Sequence, residues 1–406
     1  MQPSNWVSTY RLKNGFCEHS MSNKTSPTAR RQADSYFVTC APGVEALLHA
    51  ELRALKLGRV ERQVGGVYFE GSERDCMRAN LHLRTAVRVL RRLARFQASG
   101  SDELYDCASQ VAWENWLPIG ATLLVAAHTK DSTLDHSHFI EQRVKDAICD
   151  ALLERRGARP TVDKQRPDLR VHAHFYRDRC TLLVDTSGES LARRGWRRFT
   201  GRAPMAETLA AAVLMHSGWD CRSPLIDPFC GSGTLFVEAL LLATGKAPGS
   251  LRERFAFESF PDFDARLWRR LLDEARGLER PLGKLRIVGS DLDGATLEGA
   301  AKNLAAAGFE GAVQLEVRDA AHFAPKRGWN GWVVTNPPYG ERLGRSEDLL
   351  GLYRAFGERL RASCEGYSLA LLSGAEDLSA ALELGNAERH RITNGALECE
   401  LLCAKL

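Results

Sequence analysis

One stretch constrains the fold more than any other: Leu225-Ile226-Asp227-Pro228-Phe229-Cys230-Gly231-Ser232-Gly233-Thr234, an apolar strand run into a glycine turn that opens an apolar helix. Proline ends the strand because it has no N–H to give, and the glycines admit backbone angles that a Cβ would forbid. From there the pattern alternates. It predicts strands at Pro224 to Asp227, Arg286 to Ser290, Val313 to Val317, Gly331 to Thr335 and Ser368 to Leu372, with helices after Gly233, over Ala295 to Ala307 and over Glu347 to Ala362. Strand and helix in alternation give an α/β layer with a mostly parallel sheet. Asn394-Gly395 between Glu388 to Ile392 and Ala396 to Cys403 predicts a closing hairpin and an antiparallel last strand.

The front half follows a different grammar. A strand at Tyr36 to Cys40, a Pro42-Gly43 turn, a helix through Leu55 and short strands around Val60 and Val67 make a small α+β unit, followed by a helix around Asp75 to Leu83. The arginine-rich segment that runs to Phe96 fits neither period. Further on come a strand at Leu123 to Ala127, a helix at Phe139 to Leu153 and a hairpin turning at Arg177-Asp178. Charge divides the same way: residues 1–200 hold 31 Lys and Arg against 23 Asp and Glu, and residues 201–406 hold 24 against 28. A basic front and a mildly acidic rear suit a polyanion-binding module joined to a catalytic one, or merely a solvated basic face.

The glycine turn lacks the GxGxxG of a dinucleotide site and the GK[ST] of a P-loop, so its ligand is expected to be a nucleoside without phosphates. Asp227 agrees, because a carboxylate there repels phosphate and suits the ammonium and sulfonium region of S-adenosylmethionine. Asp291, ending the next strand, is placed to accept the ribose hydroxyls, and Asp319, after the following strand, the adenine amino group. The 64 positions from Asp227 to Asp291 require an insertion of about two helices. Asn336-Pro337-Pro338-Tyr339 follows the strand Trp332 to Thr335. An exocyclic base amine is a poor nucleophile because its lone pair is delocalised into the ring. The Asn336 side-chain oxygen and the Pro337 carbonyl can take its two hydrogens and aim the lone pair, and Tyr339 can stack on the base. A cytosine-C5 enzyme would need a cysteine beside this strand, and residues 331–345 contain none.

Between the halves lies Arg193-Arg194-Gly195-Trp196-Arg197-Arg198-Phe199-Thr200-Gly201-Arg202. Arg193, Arg194, Arg197 and Arg198 with Trp196 form a candidate RNA contact, arginines for phosphates and the indole for a base. The alternative is a linker whose arginines pair with acids of the rear domain. Eleven cysteines spread singly suit a reducing cytoplasm, and the histidine pairs His136 with His138 and His172 with His174 lack companions at zinc spacing, so no metal is expected. No apolar run is long enough for a membrane span, and residues 1–34, without an apolar h-region, read as a flexible extension.

Taken together, these residues resemble the THUMP-domain RNA guanine-N2 methyltransferases, nearest to the RlmL type that acts on bacterial 23S rRNA. The resemblance covers residues 35–406. It includes Val64 to Val67, Arg194 to Arg197, Ala206 to Ala212, both motifs above and the insertion Ala247 to Trp268. It implies a ferredoxin-like unit at 35–95, a THUMP RNA-binding domain at 96–188, a basic linker at 189–202 and a Rossmann-like class I methyltransferase domain at 203–406. The first two would grip RNA. Asp227, Phe229, Gly231, Gly233, Asp291 and Asp319 would bind S-adenosylmethionine, and Asn336, Pro337 and Tyr339 would be catalytic. Many chains of this type continue into a second methyltransferase domain, so the guanine-N2 activity alone carries over to a sequence ending at Leu406. The expected partner is structured RNA, large-subunit rRNA or its precursor particle. Transfer RNA guanine-N2 methylation, adenine-N6 methylation and a non-enzymatic role in ribosome assembly stay open as alternatives.

Overall fold

The computed structural model describes residues 18–19, 33–201, 204–339 and 346–406. Apart from these, the N-terminal extension, Arg202 of the basic segment and residues 340–345 after the NPPY motif lie outside the described residues. The chain forms two compact units. Residues 91–188 with 259–262 make one, and residues 33–90, 189–258 and 263–406 make the other. The divide therefore does not fall where the sequence changes grammar: residues 33–90 belong with the rear of the chain.

In order, residues 33–90 form β1 (Asp34–Thr39), α1 (Glu45–Ala54), β2 (Val60–Gln63), β3 (Gly66–Gly71) and α2 (Glu73–His82), with strands in the order β2-β3-β1. Val38, Leu48, Leu52, Val67 and Phe69 fill the space between sheet and helices. Ser72 starts α2 through a reciprocal cap, its hydroxyl accepting from the Asp75 N–H while the Asp75 carboxylate accepts from the Ser72 N–H. The arginine-rich segment of unsettled period is a ten-residue strand, β4 (Arg88–Gln97). Val89 and Leu90 are both buried in sequence, which breaks the alternation a strand normally shows.

The unit 91–188 adds α3 (Ser101–Ser109), β5 (Thr122–Lys130), α4 (Ser137–Arg156), β6 (Thr161–Val162), β7 (Leu169–Tyr176) and β8 (Arg179–Asp185). Its strands lie in the order β4-β8-β7-β5-β6. Leu123, Val125, Val171, Ala173 and Phe175 meet Leu104, Ile140, Val144 and Ile148 of the two helices on one face. On the other face His128 and His174 stack at 5.3 Å, and Tyr176 is exposed under the Arg177 guanidinium. Arg177 and Asp178 turn the β7–β8 hairpin with positive φ at both, as a two-residue turn of this kind needs.

The rear of the chain forms α5 (Glu207–Ser217), β9 (Leu225–Asp227), α6 (Thr234–Thr244), α7 (Ala265–Gly277), β10 (Ile287–Asp291), α8 (Gly294–Ala306), β11 (Gln314–Val317), β12 (Trp332–Thr335), α9 (Ser346–Ser363), β13 (Ser368–Ser373), α10 (Glu376–Ala381), β14 (Glu388–Asn394) and β15 (Leu397–Lys405). The sheet order is β11-β10-β9-β12-β13-β15-β14. The first five strands are parallel, and β15 enters antiparallel beside β13. After β9 the chain fills one side with β10 and β11, then crosses to β12 on the other. Such a reversal leaves a crevice at the carboxyl ends of β9 and β12.

Buried charges join residues 33–90 to this domain. Arg84 donates to the carbonyls of Leu241 (3.2 Å) and Lys246 (3.0 Å), and Arg194 donates to the Leu191 carbonyl (2.7 Å), to the Arg84 carbonyl and to the Glu238 carboxylate (3.3 Å). Among the described residues no helix is long and apolar enough to cross a membrane.

Candidate active site

Asp227 ends β9 fully buried. Its Oδ1 accepts both from the Phe229 N–H (3.0 Å) and from the Thr335 hydroxyl (2.6 Å), so one bond shapes the turn and the other closes the crevice to β12. Burial, with Asp291 nearby, pushes its carboxyl up to about 7. Both bonds fall on Oδ1, which leaves Oδ2 to meet a positive charge. The turn is tied to the next strand by the Cys230 N–H donating to the Ser290 carbonyl (3.0 Å) and the Gly231 N–H donating to Asp291 Oδ2 (3.0 Å). Gly231 takes φ +51 with open space where a Cβ would stand, a cradle that a ligand can enter. Gly233 takes φ +78 at the start of α6, against Ala300 of α8.

Asp291 also accepts from the Asp293 N–H (3.0 Å) and is half-buried, and Asp319 caps a short turn through the Ala321 N–H (2.9 Å) and is exposed. Because β9, β10 and β11 are neighbours, the three acids stand in a row above one edge of the sheet. Phe229 borders the turn with its ring edge-on to Phe356 of α9, 5.1 Å between centroids. The Cys230 thiol, raised by burial and by the two aspartates, stays protonated and is no nucleophile.

Across the crevice β12 delivers Asn336. Its Oδ1 is buried with no hydrogen-bond donor, a condition that costs about 1 to 3 kcal/mol unless a ligand relieves it. Pro337 and Pro338 have no N–H to donate to a ladder, so the strand does not continue beyond Thr335. Tyr339 differs from expectation. Its ring is 8% exposed and lies on Gly374, and its hydroxyl accepts from Asn394 Nδ2 (2.8 Å), so the structure shows a packed wall where the sequence suggested a free stacking surface.

The basic segment is corrected more strongly. Arg194 and Trp196 are each 1% exposed and cannot meet RNA. Arg194 is engaged by Glu238, and Arg197 binds Glu207 (2.9 Å), the Ser232 and Thr234 hydroxyls (3.2 and 3.0 Å) and the Met205 carbonyl (3.1 Å). The alternative of a linker paired with rear-domain acids describes both residues. Arg193 and Arg198 remain exposed. Two residues unmarked by the sequence matter as much. Thr335 holds Asp227. Buried Asn303 of α8 accepts from the N–H groups of Arg198 and Phe199 and donates to the carbonyls of Phe199 and Ser232, fastening the basic segment under the glycine turn. No short motif announces either; an Asn amid alanines in a helix is the sole hint. Among the described residues no three His, Cys, Asp or Glu side chains gather as a metal site.

Residues 194–402 match the model of the RMKL-like methyltransferase domain, 98–185 that of the THUMP domain and 35–90 that of the RlmL ferredoxin-like domain. The chain belongs to the RMKL-like methyltransferase family. Ribosomal RNA large subunit methyltransferase K/L of Pseudomonas aeruginosa is 43% identical over 383 residues, which cover 91% of this chain and 53% of that protein, so the chain spans about half the length of this relative. The crystal structure of SMU.472 complexed with SAH superposes with a TM-score of 0.84 at 31% identity, covering 92% of this chain and 98% of that one. A predicted N6-adenine-specific DNA methylase from Listeria monocytogenes superposes with a TM-score of 0.82 at 32% identity, covering 92% and 96%. The rear domain is thus a Rossmann-like methyltransferase fold preceded by ferredoxin-like and THUMP domains.

Proposed function

We propose that the chain methylates the exocyclic N2 of a guanosine in large-subunit ribosomal RNA, in the cytoplasm, with S-adenosylmethionine as donor. The observation that carries this is the buried, partnerless Oδ1 of Asn336 at the end of β12, the strand beside β9 and its glycine turn, which lacks a phosphate-binding motif. The donor's fit rests on the same crevice: Gly231 leaves room for it, Asp227 Oδ2 suits its positive charge, and Asp291 and Asp319 suit its ribose hydroxyls and adenine amine. When bound, it supplies an electrophilic methyl group on a sulfonium.

This chain's residues do the rest by position. Asn336 Oδ1 and the Pro337 carbonyl accept the two amine hydrogens, which turns the lone pair toward the donor and stabilises the positive charge that develops on nitrogen. No strong base is needed, because the acidified amine loses its extra proton readily. A base inside a helix must be flipped out to reach this pocket. The exposed Arg193 and Arg198 and the open face of β5, β7 and β8, with Lys130, Arg177 and Arg179, are suited to the RNA backbone. The likeness of the relatives' name, large-subunit rRNA methylation, supports this substrate.

The second reading is adenine-N6 methylation, favoured by the name of the Listeria protein and by a loop that serves any exocyclic amine. Nucleoside mass spectrometry after incubation with large-subunit rRNA separates them. N2-methylguanosine is expected, and an RNA carrying inosine at the target, which lacks only the N2 amino group, should accept nothing. N6-methyladenosine in its place would transfer the assignment to the second reading.

A further inference from the structure

The middle of the Asn336–Tyr339 loop has no backbone donors to hold it. Pro337 and Pro338 have none, and the Asn336 oxygen is without a partner. What fixes the far end of the tetrapeptide is the Tyr339 side chain. Gly374, just past β13, takes the ring flat against its backbone: a Cβ there would stand 2.2 Å from Tyr339 Cδ2. That contact leaves the ring free to slide in its own plane. The hydrogen bond from Asn394 Nδ2 to the Tyr339 hydroxyl, 2.8 Å, restrains this movement, and the Cys399 thiol of β15 meets the same hydroxyl as a weaker second contact.

Asn394 looks in the sequence like a turn residue, and the geometry says otherwise. It is the last residue of β14, paired with Leu397, and the turn is Gly395-Ala396. Gly395 has φ +63, whereas Asn394 is not left-handed, so the backbone does not use the tolerance for positive φ that favours asparagine in turns. The side chain, not the turn, uses this residue type. Its mount is stiff as well. The Thr393 N–H donates to the Pro42 carbonyl (3.3 Å), and Gly43 comes so near that a Cβ there would lie 2.2 Å from the Arg391 carbonyl oxygen.

We propose that Asn394 is a positioning residue for methyl transfer, holding Asn336 and Pro337 in register with the crevice through the Tyr339 hydroxyl. The proposal rests on the methyl-transfer reading above. Misplacing an acceptor by a fraction of an ångström to an ångström costs up to about a hundredfold in rate.

The test is a double-mutant cycle of Asn394→Ala and Tyr339→Phe in the full chain, assayed by methyl transfer from S-adenosylmethionine to large-subunit rRNA from cells lacking the gene. Each single variant should lose about tenfold or more in kcat, keep cofactor affinity by calorimetry within about twofold, and lose no more together than the worse one alone. Should Asn394→Ala fail to fold, Asn394→Ser, whose hydroxyl is too short to reach Tyr339, carries the same comparison. Wild-type kcat in the Asn394 variant, or losses that multiply in the double variant, overturns the proposal. A wild-type protein that methylates no RNA overturns the functional reading instead, and this proposal falls with it.

Discussion

At the scale of single residues the site is a set of charges and acceptors awaiting partners. Asp227 keeps its proton to about pH 7 in the folded chain, against 3.8 for an ordinary aspartate. A raised carboxyl favours the fold below its unfolded pKa, and that contribution is lost as pH rises through the folded value near 7. A cationic ligand selects the ionised form, so its affinity should behave in the opposite way: level above about pH 7 and weakening by up to about tenfold per pH unit below it. Calorimetric titrations of S-adenosylmethionine from pH 6 to 8 test this, and a flat profile would detach Asp227 from the ligand's charge. Asp291→Ala should weaken binding roughly tenfold to over a hundredfold by removing charge-assisted bonds worth about 1.5 to 3 kcal/mol; unchanged affinity would take Asp291 out of the site. Asn336→Ala should lower turnover by a factor on the order of 10² to 10³ while sparing cofactor affinity, because the lost acceptor acts mostly in the transition state.

At the scale of elements, legibility followed how local each feature is. The strand ends, the glycine turn and the antiparallel close of the sheet were readable because proline, glycine and period-2 alternation act within a few residues. The roles of Arg194, Trp196 and Arg197 were not, because an arginine run looks the same whether its partners are phosphates or Glu238 and Glu207, which lie 44 and 10 positions away. Asn303 and Thr335 were invisible for the same reason. The burial now separates the arginines into two predicted behaviours. Arg194→Ala leaves Glu238 deep in the protein without its ion-pair partner and should cost about 3 to 5 kcal/mol in denaturant unfolding, whereas replacing both by apolar residues of similar size should cost far less. Arg193→Ala and Arg198→Ala should leave stability within about 0.5 kcal/mol and, if these side chains meet phosphates, each should reduce the salt dependence of RNA binding by about one counterion. Wild-type salt dependence in both would remove the segment from the RNA path altogether.

At the scale of the whole molecule, the division of labour suggested by charge, a basic gripping front and a catalytic rear, meets a different division of packing. Residues 33–90 lie in one compact unit with the methyltransferase domain. Arg84 caps the carbonyls of Leu241 and Lys246 at the end of α6 and its insertion, Gly249 sits so close to Asn80 and Leu81 that no Cβ fits, and Arg74 pairs with Glu274 of α7 at 3.0 Å. A fragment of residues 203–406 keeps every strand of the parallel sheet and all three strand-end acids, so composition alone would expect it to bind the cofactor. It loses Arg84, Arg194, Trp196 and Arg197, however, and with them the partners of Glu238, Glu207, Ser232 and Thr234 beneath the glycine turn. Unsatisfied buried groups cost about 1 to 3 kcal/mol each, more when charged, and a few of them equal the whole stability of a typical domain. The fragment is therefore expected to be unfolded or aggregated at 25 °C, while a chain of residues 33–90 joined by a flexible linker to 189–406 should fold and retain cofactor binding, with RNA affinity much reduced for want of the THUMP domain. Circular dichroism and calorimetry on both decide the matter. A cooperatively folded 203–406 fragment that binds S-adenosylmethionine as tightly as the full chain would show that the buried charges between residues 33–90 and the catalytic domain are dispensable, and that the boundary drawn from sequence is the physical one.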